Sequence, residues 1–134
     1  MNWKLIFLLS LFGLALGIAS VFTLSPTVEF VFWIAATLII AILIAKYANG
    51  KYFLHGFMVA VVNTFWVTLA QAALFYIYIA SHPEYLQMVE KLPPALADHP
   101  RRLIVYRSPI IAIISGAFVG LCAWVASKVV NRLR

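Results

Sequence analysis

The chain has 134 residues, of which 65% are hydrophobic and only 10% charged, with a net charge of +6 at pH 7. Its mean hydropathy of +1.01 lies far outside the range of soluble globular domains. The basic excess does not point to nucleic acid: Lys and Arg stand at the ends of apolar runs, where they meet anionic headgroups, and no basic cluster is interleaved with aromatics as base stacking requires.

Together these features predict one all-α membrane domain over residues 1–134, a bundle of four transmembrane helices with membrane lipids as its first partners. The first span covers about 3–24, from Trp3 to Leu24, with Lys4 its only charge. A cleaved signal peptide is the competing reading, because Gly17 and Ala19 are small residues at a plausible cleavage spacing. Ser25-Pro26 then supplies an N-cap and a first-turn proline for the second span, about 28–47, which has Glu29 in its first turn and Lys46 in its last.

Asn49-Gly50 marks a tight turn into the third span, about 52–80. This run contains no Asp, Glu, Lys or Arg. As one straight helix it would measure roughly 43 Å against a hydrocarbon core of about 30 Å, so it must tilt or protrude. The loop 81–108 follows, where Ser81 is placed to cap a short helix entered through Pro83 and stopped by Pro93-Pro94. Tyr85, Leu86, Val89 and Leu92 recur there at helical spacing, which predicts a short amphipathic helix on the membrane surface or across one end of the bundle. The fourth span, about 109–130, begins at Pro109 and ends among Lys128, Arg132 and Arg134. Four spans put both termini on one side, and six Lys/Arg residues on that side against four in the long loop favour the cytoplasm.

Helices in lipid are drawn together by close backbone approach, which small side chains permit. At about 100° per residue, Ser10, Gly13, Gly17 and Ser20 share one face of the first span. Ala112, Gly116, Gly120, Ala123 and Ser127 share one face of the fourth, and each set contains a GxxxG pair. Thr37, Ala41, Ala45 and Ala48 form a weaker stripe on the second. These faces read as the inside of one bundle, or alternatively as a seam to a second protomer or a membrane protein partner.

Chemistry is sparse. Asn63, Thr64 and Gln71 are polar positions along the third span, and His55 lies one turn into it beside Lys51 and Tyr52. Interhelical hydrogen bonding accounts for the amides, and a polar path for an ion or small solute is the functional alternative. An interfacial role for His55 outweighs a proton relay, since the acids and amines of the spans stand at their ends and none is expected to be buried. His82, Glu84, Asp98 and His99 are metal-ligand types without standard spacing, and a solvated loop is the better account. No nucleophile has a local base, no glycine loop cradles phosphate, and no cofactor is implied. Cys122 stands alone and cannot form an intramolecular disulfide.

GKYFLHGF at 50–57, WKLIFLLSLFG near the start and YIYIASHPE at the loop resemble an uncharacterised family of short four-span bacterial inner-membrane proteins. The resemblance runs over most of the chain and implies a fold and a bacterial membrane location, with no activity attached. The small multidrug transporters need a glutamate in span one, and the fluoride channels a broken third helix and an arginine-bearing glycine motif, none of which the sequence shows. Two functions follow as expectations. The first is a non-enzymatic bundle acting by helix association, as homo-oligomer or accessory subunit. The second is a passive channel or small-solute carrier lined by His55, Asn63, Thr64 and Gln71.

Overall fold

A computed structural model describes residues 1–22 and 25–133; the expected end of the first span at Leu24, and Arg134 of the basic count, lie outside them. The described residues form seven helices: α1 (Trp3–Phe22), α2 (Pro26–Tyr47), α3 (Tyr52–Ala73), α4 (Phe75–Ser81), α5 (Pro83–Glu90), α6 (Pro94–Ala97) and α7 (Pro100–Arg132). Among them, α1, α2, α3 and α7 are long and apolar enough to cross a membrane, which marks an integral membrane protein.

Local chemistry explains the boundaries. Ser25 Oγ accepts from Val28 N at 3.4 Å and Pro26 opens the first turn, so α2 starts where the Ser25-Pro26 pair predicts. Gly50 has φ +98°, a conformation that only glycine adopts without strain, and Lys51 follows at φ 51°. Those two residues reverse the chain between α2 and α3.

The third span is not one straight rod. It is interrupted at Leu74 (φ −100°, ψ 33°), and α4 continues beyond. No proline or glycine causes the interruption. Instead Arg101 Nε donates to Ala72 O at 2.7 Å, so a side chain from α7 satisfies a carbonyl beside the break. A further difference lies in α7, which starts at Pro100 rather than at Pro109 and shortens the expected loop. Pro109 sits inside this helix, where its missing N–H leaves the Val105 carbonyl without its usual helical donor. At about 1.5 Å per residue α7 is roughly 50 Å long, so its first turns, with Arg101, Arg102 and Arg107, extend beyond a core of about 30 Å. Ser81 does not cap α5 either. Its hydroxyl donates to Phe22 O at 3.2 Å and ties the end of α4 to the end of α1.

Helix α3 is the central element, packed most extensively against α7 and then α1, while α2 packs mainly on α7. Two apolar clusters hold the helices together. The first draws Ile6 and Leu9 from α1, Ile40, Ala41 and Ile44 from α2, Val59 and Ala60 from α3, and Val119 and Ala123 from α7. The second, nearer the long loop, joins Val21, Phe75, Tyr78, Tyr85, Val89 and Ile104, and α2 contributes to it no described residue. The C-terminal half of α2 is therefore bound into the core while its N-terminal half stands clear.

Candidate functional site

The consequence of that splay is a half-open cavity of about 460 Å³ between the N-terminal half of α2, the second half of α3 and the first half of α7. Such a volume is within the range of small-molecule sites. Its α2 wall carries Glu29, Trp33, Thr37 and Ile40; its α3 wall carries Asn63, Thr64, Thr68 and Gln71; its α7 wall carries Arg107, Ile111, Ser115 and Phe118. Tyr78 and Ile104 also line it, at the loop end.

Polarity is graded along this cavity. Glu29 lies in the first turn of α2 and Arg107 in the early turns of α7, so both charges stand at the loop end. Arg107 Nη2 donates to Gln71 Oε1 at 3.1 Å, and its guanidinium lies 5.2 Å from the centre of the Tyr85 ring. Tyr85 in turn donates from its hydroxyl to Pro100 O at 2.7 Å and meets Tyr78 edge to face at 5.6 Å. Burial pushes the Tyr85 phenol above its usual 10.0, with Arg107 pulling it partly back and Tyr78 adding to the rise. Across the cavity, Glu29 Oε1 accepts from Trp33 Nε1 at 3.4 Å. Towards mid-membrane the lining carries no charge: Ile40, Ala60, Ile111, Phe118 and Val119 predominate, interspersed with Thr37, Asn63, Thr64 and Ser115.

Of the four polar positions singled out along the third span, Asn63, Thr64 and Gln71 line this cavity, and His55 does not. Asn63 Oδ1 accepts from Gly13 N at 3.2 Å, and Thr64 donates to Ala60 O of its own helix at 2.9 Å. His55 is buried at the opposite end, where its Nε2 accepts from Asn2 N at 2.9 Å and its Nδ1 lies 3.0 Å from Lys51 O. Those bonds make it a clasp for the N-terminus. In the loop, His82 is buried and stacked on Tyr78 with ring centres 4.6 Å apart, and no group of three His, Cys, Asp or Glu side chains gathers among the described residues.

The four packing glycines all face helices of the same chain. A β-carbon on Gly13 would stand 2.6 Å from Asn63 Oδ1, and one on Gly17 2.9 Å from Val67 Cα. On α7, Gly116 faces Phe57 and Gly120 faces Phe53. Glu29, Thr68, Arg107 and Ser115 were not expected from the sequence as parts of a site. Glu29 suits the dipole at a helix start, and Arg107 falls outside the apolar run of the fourth span. One signal was available: the small-residue stripe of span two begins only at Thr37, after the bulky Phe30, Trp33 and Ile34, so only half of that helix can approach its neighbours closely. Comparison of the chain with family models, with curated proteins and with solved structures gives no match.

Proposed function

We propose that this protein is a non-enzymatic four-helix membrane bundle that binds an amphiphilic molecule, taken up laterally from the bilayer, in the cavity between α2, α3 and α7. The observation that carries this reading is the gradient inside a cavity of about 460 Å³, with Glu29, Gln71 and Arg107 at its loop end and uncharged, mainly apolar side chains at mid-membrane depth. A water-soluble solute has no use for the apolar half, and a plain hydrocarbon none for the charges. The reading keeps the carrier expectation for Asn63, Thr64 and Gln71 and removes His55 from the path. It also replaces association through Gly13, Gly17, Gly116 and Gly120, because those glycines are already covered within the chain.

In this account α5, with Tyr85 and Val89 turned inward, lies across the loop end of the bundle and holds Arg107 at the cavity mouth. The Lys/Arg distribution favours cytoplasmic termini, and the resemblance noted above supports a bacterial inner membrane as the location. Native mass spectrometry of protein extracted in mild detergent tests the reading. We expect one retained lipid-sized molecule per chain, lost in Thr68→Phe, which fills the cavity from a half-buried position. Wild-type protein that retains nothing, or a Thr68→Phe variant that folds and retains the same molecule, overturns it.

A further inference from the structure

The geometry points to a zwitterionic phospholipid as the occupant of this cavity, with its phosphate on Arg107, its ammonium on Glu29 and one acyl chain running towards Phe118; the inference rests on the amphiphile-binding reading above. Three observations converge on it. First, a base on α7 and an acid on α2 face the same space. Second, the partners the structure gives them are neutral: an amide oxygen and an aromatic face for Arg107, an indole N–H for Glu29. Charges held half-buried beside lipid call for opposite charge, and here one of each sign waits on facing walls.

Third, the two charges lie at the loop end of spans α2 and α7, the depth of lipid headgroups, while the lining beneath them is mainly apolar. An anionic lipid would satisfy Arg107 and be repelled by Glu29. A fatty acid would do the same. A lipid whose head carries a phosphate followed by a primary ammonium satisfies both, and its N–H groups donate to the Glu29 carboxylate in a way that a quaternary ammonium cannot. Arg107 is suited to the phosphate because its guanidinium offers several donors, and Tyr85 and Gln71 hold it in place.

The test uses the delipidated full chain in detergent, titrated separately with dioleoyl phosphatidylethanolamine, phosphatidylcholine and phosphatidylglycerol, with bound lipid counted by native mass spectrometry. Phosphatidylethanolamine is expected to bind one per chain and about tenfold more tightly than phosphatidylglycerol, with phosphatidylcholine between them. Glu29→Gln is expected to abolish that preference without weakening phosphatidylglycerol. Arg107→Gln weakens all three lipids, and Arg107→Lys restores part of the binding. Because Arg107 also braces Gln71 and Tyr85, the decisive variant is Glu29→Gln. Equal affinity for the three lipids, or a preference that survives Glu29→Gln, overturns the headgroup assignment; if Thr68→Phe still expels lipid, the cavity reading stands without it. Failure of wild type to bind any of the three overturns both.

Discussion

Gly13 and Asn63 meet so closely that a β-carbon on the glycine would stand 2.6 Å from Asn63 Oδ1 and 2.7 Å from Asn63 Cα. The same contact brings Gly13 N within 3.2 Å of the amide oxygen, so one glycine both admits α3 and bonds it. Gly13→Ala should cost about 1–3 kcal/mol of stability in detergent, from overpacking a close seam. Adding Asn63→Ala should not restore it, because the Asn63 backbone obstructs as well as its side chain. Thermal unfolding of the single and double variants measures this, and full recovery in the double would contradict it.

Two of the glycines at the α3–α7 seam, Gly56 and Gly116, should differ in sensitivity. A β-carbon at Gly56 would meet backbone, 2.7 Å from Val119 O and 2.9 Å from Gly120 Cα. At Gly116 it would meet only the Phe57 ring, at 2.8 Å, which can turn aside. Gly56→Ala is therefore expected to lose about 3 kcal/mol and Gly116→Ala about 1 kcal/mol. Unfolding in graded denaturing detergent ranks them, and the reverse order would show that the α3–α7 packing is misassigned.

His55 accepts from Asn2 N at Nε2, which leaves the proton on Nδ1 facing Lys51 O at 3.0 Å. Asn2 also caps α1 by accepting from Leu5 N at 3.1 Å. His55→Leu should speed hydrogen exchange in the first turn of α1 and leave lipid retention untouched, since His55 does not line the cavity. A loss of bound lipid in this variant would place His55 in the site after all.

Tyr85 lies outside the spans, and burial raises its phenol above 10.0. The folded protein holds this proton more tightly than the unfolded chain does. Its contribution to stability is thus complete below pH about 10 and lost as pH rises through the folded value. Arg107 lowers that value, so Arg107→Gln should raise it further. Difference absorbance of the phenolate, with Tyr85→Phe identifying the signal, gives the direction. A Tyr85 that ionises more readily in Arg107→Gln would contradict the contact.

Much of this architecture is legible in local sequence because its causes are local. Hydropathy marks four spans, Ser25-Pro26 starts α2, and Gly50 turns the chain. What escapes is set by residues distant in sequence. Nothing near Leu74 signals an interruption, since its stabilising donor is Arg101 on another helix. Pro109 reads as a helix start because proline favours the first turn, yet α7 passes through it from Pro100. Arg107 therefore looks like a loop cation, and only the extended helix brings it to 3.1 Å from Gln71. Asn63, Thr64 and Gln71 were visible as polar positions, but the cavity they line depends on the splay of α2.

The central claim, that the space between α2, α3 and α7 holds a lipid, is tested most directly by photocrosslinking. Protein is reconstituted with a phosphatidylethanolamine carrying a photoactivatable group midway along one acyl chain, irradiated and mapped by peptide mass spectrometry. The account predicts adducts concentrated on the cavity wall, at Ile40, Ile111 and Phe118, and strongly reduced in Thr68→Phe. Adducts spread evenly over outward-facing side chains such as Phe7, Phe12, Ile113 and Ile114, and unchanged in Thr68→Phe, would contradict it.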